Sequence, residues 1–468
     1  MSERKFVHPY IPNSVPKVKA EMLKEIGVCD VEELYAEMIP ERLRLRSSMD
    51  LPRSFPAEHD LKKHVEAILS KNVTCDEYLN FLGAGCWRHF VPAVCDEIAR
   101  RSEFLTAYAG GAYSDLGRFQ AFFEFQSLIG ELVGMDVSGQ PTYDWGSSAG
   151  NAIRMASRMT GRGEVLVPRI ISPDRLSIIE NFCQPGSTLG HVDIGFVNFD
   201  PKTGTIDIED LKDKISSKTA GVYFENPSYI GVVEDNGEEI SEIAHDNGAE
   251  SIVGVDPISL GVLSPPAEYG ADIVCGEIQT LGIHMHCGGG LGGFIASRDE
   301  EKYVGEYPLR LISVTDTSRE GEYGFGQCRF DRTSYVGRDQ AKDWVGTATA
   351  LWAIVAAVYM SLMGPEGMKD VGEAILQKSH YAAKRLSEID GVEIPFSGFF
   401  KEFPVNFNGT GKTVSEINGS LLKHRIFGGK DLTLELPELG HSALYCVTEV
   451  HSKEDIERLS LALKEAVR

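Results

Sequence analysis

Residues 254–294 read GVDPISLGVLSPPAEYGADIVCGEIQTLGIHMHCGGGLGGF, and the order of elements within them carries the fold. The apolar run over 252–256 predicts a short strand that ends in an acid, Asp256. A proline-rich turn follows, then a second strand over 271–275, a segment ending at Gln279-Thr280, and a glycine cluster. Short apolar runs bounded by Pro and Gly read as strands joined by turns.

The same grammar extends upstream. Between 164 and 256 the strand-like runs VLVP, HVDIGFVNF, AGVYFE and SIVGVD alternate with helical patterns that include 176–182, 208–215 and 240–247. Such alternation predicts a mostly parallel sheet with helices on both faces, whose strand ends line a cleft. Two of those ends are polar, Glu225-Asn226-Pro227-Ser228-Tyr229 and Asp256-Pro257. Just before this region lies YDWGSSAGNAIRMASRMTG, residues 143–161. A Gly-Ser-Ser-Ala-Gly run that opens a helix can cradle a phosphate on its first-turn amides, with Ser147 and Ser148 as added donors. It can equally be a capped helix start with small residues for close packing.

Helical periodicity over 91–101 and 120–132 brackets an irregular loop at 106–117, which is either cleft-lining or a plain turn at Gly110-Gly111. Residues 1–75 read as an N-terminal helical arm for packing or dimerisation, with Val18, Met22, Leu23 and Ile26 at helical spacing before Gly27. The large domain is expected over 76–363 and a small α+β C-terminal domain over 364–468.

Composition excludes several classes. A formal charge of −23 argues against a nucleic-acid partner, since phosphate binding needs clustered Lys and Arg. The nine cysteines are scattered and show no CxxC pair, which favours free thiols in a reducing, cytoplasmic setting. The N-terminus lacks the apolar core of a signal peptide. The apolar run at 347–363 approaches spanning length, but its Thr, Ser and alanines and the Gly364-Pro365 stop favour a buried helix over a membrane span. His284 and His286 would share a face if their segment were a strand, with Cys287 adjacent; no fourth ligand is spaced to complete a metal site, and hydrogen-bonded histidines are the plainer reading.

The order of these parts resembles the large domain of fold-type I pyridoxal phosphate (PLP) enzymes. There an acid at a strand end pairs with the pyridinium nitrogen, and a lysine further along forms the Schiff base. Asp256 matches the acid, but Gln279 stands where the lysine is expected. An amide nitrogen delocalised into its carbonyl cannot form an imine. The chain is therefore not expected to perform ordinary PLP catalysis alone, and Asp256 is either a cofactor contact or an inherited acid kept for local hydrogen bonds.

The pieces YIPNS, FLGAGCWRHFVPAV, RSEFLTAY, FEFQSLIGELVGMDV, NPSYIGVVED, VDPISLGVL, EYGADIVCGEIQTLG, SGFFKEF, FGGKDL and LPELGHSALYCVTE span nearly the whole chain. Together they resemble the glycine cleavage P-protein family, on the side of its alpha subunits, subunit 1 of the two-subunit glycine dehydrogenase (decarboxylating). The resemblance implies a lysine-bearing beta subunit as partner and PLP carried by that partner. It also implies glycine as substrate and a lipoylated H-protein as acceptor of the aminomethyl group.

Departures from the family pattern fall at 109–117, 284–287 and 342–347, which suggests a diverged paralogue. Three classes of function stay open: a non-catalytic subunit, a diverged enzyme using His284, His286 or Cys287 as base or nucleophile, and a regulatory or scaffolding homologue.

Overall fold

The structure, a computed structural model, describes residues 10–11, 15–45, 47, 49–105, 118–184, 190–328, 332–333, 341–343, 345–346 and 349–468. They divide into two units, Met1–Val73 and Thr74–Arg468. The first unit contains α1 (Pro16–Ile26), α2 (Val31–Met38) and α3 (Glu58–Leu69). None of these helices buries a residue, and Met22, Ile26, Met38, Leu61 and Ile68 stand exposed. Gly27 ends α1 in the left-handed region, φ 89°, where the absent Cβ removes the steric penalty.

The second unit opens with β1 (Leu79–Asn80), α4 (Ala93–Ala99) and α5 (Phe119–Val133). An alternating series follows: β2 (Val137–Ser138), α6 (Trp145–Thr160), β3 (Glu164–Pro168), α7 (Pro173–Cys183), β4 (Asp193–Val197), α8 (Ile208–Lys214), β5 (Thr219–Glu225), α9 (Gly237–Asp246), β6 (Glu250–Val255), β7 (Ile273–Glu277) and β8 (Gly293–Ser297). The seven strands form one sheet in the order β2-β8-β7-β6-β5-β3-β4. The run from β4 to β7 is parallel, while β8 joins β7 and β2 in antiparallel register.

Strand alternation sorts the apolar side chains onto two faces. Phe224, Val253, Val255, Val274 and Phe294 belong to one core cluster with Phe125 and Ile129 of α5. Tyr223, Ile252, Ile273, Cys275 and Ile295 join the opposite cluster with Ala149 and Ile153 of α6. Burial on both faces explains why these strands read as continuous apolar runs rather than alternating ones. Each fully buried Val or Ile contributes about 1.5–3 kcal/mol.

Next come α10 (Glu301–Val304), a hairpin of β9 (Ile312–Asp316) and β10 (Tyr323–Gln327), and α11 (Ala350–Ser387). The apolar first half of α11 places Ala353, Val355, Ala356 and Tyr359 in the first core cluster. The expected stop at Gly364-Pro365 is a kink within α11: Gly364 has φ 59° and ψ −177° before Pro365 restarts the helix. The chain closes with β11 (Glu402–Asn406), α12 (Val414–Lys423), β12 (Ile426–Phe427), β13 (Lys430–Asp431), β14 (Ser442–Cys446) and α13 (Lys453–Ala466). Strand β11 pairs antiparallel with β14, and β1 pairs parallel with β12, which brings residues 79–92 against the C-terminal strands.

Candidate functional site

The carboxyl ends of β5, β6 and β7 carry Glu225, Asp256 and Glu277 along one edge of the sheet, the edge at which open α/β sheets hold their ligands. Asp256 caps the short turn 257–261, and its Oδ1 accepts the Ile258 N–H at 3.3 Å and the Thr280 hydroxyl at 3.0 Å. Its Oδ2 faces the Lys401 ammonium at 2.7 Å, an ion pair not aligned as a hydrogen bond. Lys401 comes from the residue before β11; its Nζ also lies 3.2 Å from His89 Nε2 and 3.6 Å from the Trp87 ring centroid. His89 Nδ1 meets Glu449 Oε2 at 2.8 Å, and Glu449 takes the Phe90 N–H at 2.6 Å. Burial works against the Glu449 charge, but His89 and that N–H outweigh it and hold the carboxyl down at about 2.

Gln279 is fully buried, and both ends of its amide are used. Its Oε1 accepts the Trp87 N–H at 3.0 Å, while Nε2 donates to the carbonyls of Trp87 at 3.0 Å and Ile283 at 2.9 Å. The position where a Schiff-base lysine would stand is thus a splice between segment 85–90 and the turn after β7, and it needs an acceptor that a lysine lacks.

Ser147 and Ser148 do not point outward as phosphate donors. Asp144 caps α6 by accepting the Ser147 N–H at 2.6 Å, and Ser147 Oγ returns to the Asp144 N–H at 3.0 Å, a reciprocal capping box. Ser148 Oγ lies within hydrogen-bond reach of the carbonyls of Asp144, Trp145 and Gly276, and its one proton is donated inside that set. The Trp145 N–H is taken by Glu277 Oε2 at 3.2 Å, and Glu277 Oε1 accepts from Gln279 and Gly292 at 3.1 and 2.7 Å. Burial nevertheless pushes the Glu277 carboxyl up to about 8. The glycines of this stretch serve close packing: a Cβ on Gly150 would lie 2.8 Å from the Phe182 side chain. These bonds and contacts make the stretch a capped helix start with small residues packed closely.

The segment around His284 and His286 is a turn, not a strand. It carries left-handed backbone at His286, φ 43°, and Cys287, φ 58°, before the glycines, so these residues form no ladder and the two histidines do not share a strand face. His284 Nε2 contacts Asp96 Oδ1 at 3.0 Å in an exposed pair, His286 stacks on Trp352 with centroids 5.2 Å apart, and Cys287 is exposed. The rings border a surface cavity of about 320 Å³ with Arg100 and Trp352. The two rings meet Asp96 and Trp352, and among the described residues no hydrogen bond joins either ring to Cys287. The departure at 109–117 lies outside the described residues, as do Trp344 and Thr347. In the third departure Asp343 receives Arg154 Nε at 3.0 Å and pairs with Arg158, while Lys342 pairs with Glu306, so it is an ion-pair network on α6.

Trp87, Trp145, Arg175, Asp256, Lys401 and Glu402 enclose a cavity of about 20 Å³, room for a single water. A PLP ring and phosphate do not fit these residues. The acid is paired internally, the Trp145 and Ser147 amides of α6 serve Glu277 and Asp144, the imine position is an amide, and the space left among the described residues is about 20 Å³. Spacing had exposed Asp256 and Gln279 but not Lys401, His89 and Glu449. The one local signal was a Lys-Glu pair inside FFKEF, where Phe400, Lys401, Glu402 and Phe403 are all buried.

The chain is similar to known proteins over nearly its whole length. Residues 8–463 match the family described as Glycine cleavage system P-protein. A Pyrococcus furiosus protein named "Probable glycine dehydrogenase (decarboxylating) subunit 1" is 41% identical over 463 residues, covering 98% of this chain and 99% of the relative. A Staphylothermus marinus protein of the same name is 38% identical over 468 residues, 98% of each. Among solved structures, the glycine decarboxylase (P-protein) of the glycine cleavage system, in inhibitor-bound form, superposes with a TM-score of 0.83 at 30% identity. It covers 98% of this chain and all of that one. A Burkholderia pseudomallei sphingosine-1-phosphate lyase shares the fold alone, with a TM-score of 0.66 at 14% identity over 92% of this chain and 94% of the other. The sheet is that of the fold-type I PLP enzymes, and the chain belongs to the glycine cleavage system P-protein family.

Proposed function

We propose that this chain is the lysine-free subunit of a two-chain glycine decarboxylase, glycine dehydrogenase (decarboxylating) subunit 1. In this reading it supports, without itself carrying, the chemistry that releases carbon dioxide from glycine and passes the aminomethyl group to a lipoylated H-protein. PLP resides on a lysine-bearing P-protein partner in the cytoplasm. The observation behind this division of labour is the closed pocket: Gln279 is spliced into the backbone and Asp256 is paired with Lys401. Residues 1–75 act as an arm for association, 76–363 as the large lobe and 364–468 as the closing lobe. Support for association comes from the first unit, whose three helices bury none of their residues and leave Met22, Ile26, Leu61 and Ile68 exposed.

The test is to purify the chain alone and with a lysine-bearing homologue, add lipoylated H-protein, and follow carbon dioxide release from glycine. Borohydride reduction and peptide mapping then locate the pyridoxyl group. Activity only in the mixture, with the label on the partner, is expected. Turnover by this chain alone, or label on it, would overturn the reading.

A further inference from the structure

The geometry assigns Lys401 as a built-in cationic ligand of the pocket that the fold inherited for a cofactor. The assignment rests on the family reading, in which Asp256 is the acid that would face the ring nitrogen. An ammonium is costly to bury unless charge and hydrogen bonds compensate it, and Lys401 is 3% exposed. Its backbone is tied to the C-terminal segment by the Val447 N–H, which donates to the Lys401 carbonyl at 2.9 Å.

The ammonium then meets three chemically distinct partners. Asp256 supplies the anion at 2.7 Å, Trp87 an aromatic face at 3.6 Å, and His89 a ring nitrogen at 3.2 Å. An anion plus an aromatic face is how proteins recognise organic cations. The imidazole completes the set: if Nε2 accepts from the ammonium, Nδ1–H donates to Glu449 at 2.8 Å, which fixes that tautomer. The carboxylate of Asp256 is itself held by Thr280 and Ile258. Asp256 and Trp87 are thus arranged for a cation, and the remaining space of about 20 Å³ is room for a single water. Lys401 supplies the charge that a protonated ring nitrogen would bring and part of the volume of a ring. Shortening it leaves a preformed site for a small primary ammonium.

The experiment uses the full chain carrying Lys401→Ala, with thermal unfolding followed at increasing ethylammonium or propylammonium chloride. Controls are matched sodium chloride and 1-propanol. The variant is expected to melt several degrees below the parent and to recover saturably with the alkylammonium ions, with no recovery in propanol. The parent should not respond. Equal response to ammonium and alcohol, or none to either, would overturn the assignment.

If Lys401→Ala does not fold, Lys401→Met, Asp256→Asn and the double variant decide. The double variant is expected to melt above Lys401→Met, because removing the orphaned anion relieves the defect; additive losses would overturn the assignment. A pyridoxyl label on this chain would instead strike the proposed function, and leaves the ammonium rescue unaffected.

Discussion

Replacing Gln279 with lysine restores the residue type that the fold expects, and it should damage the protein rather than confer a cofactor site. The wild-type amide makes three hydrogen bonds, one as acceptor from the Trp87 N–H and two as donor to the carbonyls of Trp87 and Ile283. A lysine ammonium could keep the two donations, but it cannot accept, so the Trp87 N–H is orphaned at a cost of about 1–3 kcal/mol. It also places a charge at a fully buried position, which adds roughly 2–3 kcal/mol of incompletely compensated desolvation. The expected loss is about 3–6 kcal/mol, a large share of the ~5–15 kcal/mol that holds typical domains folded. Urea unfolding monitored by circular dichroism reads this as a lower midpoint, and titration with PLP should give no stoichiometric absorbance band near the visible edge. A Gln279→Lys variant as stable as the parent, and saturating with PLP, would refute the reasoning that the amide is a structural splice and the pocket is closed.

Burial raises the Glu277 carboxyl from an ordinary 4.5 to about 8, so between those values the folded state binds a proton that the unfolded state releases. Its contribution to stability is full below pH 4.5, falls as pH rises, and is lost above pH 8. Glu277→Gln, measured by urea midpoints at mildly acidic and mildly alkaline pH, should flatten that decline; an unchanged slope would count against the shift. Asp144→Ala removes the α6 cap and should cost about 1–2 kcal/mol, checked by the same unfolding curves, and no change would deny the capping box its role. His286→Ala and Cys287→Ala should leave the two-chain activity within about twofold and shift stability by less than about 1 kcal/mol, since one is a surface stack and the other an exposed thiol. Loss of turnover by either variant would revive the catalytic reading of that turn.

Local spacing carried much of the fold. The alternation of strands and helices over 164–256, the acid at the end of β6 and the amphipathic α5 are all short-range patterns, and the structure has them within a few residues of the expected bounds. The turn at 284–288 was less legible, because two left-handed residues before a glycine run break the two-residue period on which a strand argument depends. The helix across Gly364 was hidden for a related reason: a Gly-Pro pair normally ends a helix, and here it only kinks one. At Ser147 and Ser148 the sequence offered two readings, and it could not show that the Ser147 and Trp145 amides meet Asp144 and Glu277.

By itself the sequence determined that this is a PLP-type sheet carrying the strand-end acid without the lysine, since each of those facts is a residue at a position. Only the tertiary structure decided what replaced the missing chemistry. Gln279 meets Trp87 across 192 positions, and Lys401 meets His89 across 312. Periodicity reports neighbours along the chain, whereas a buried charge is compensated by whatever the packed fold brings beside it.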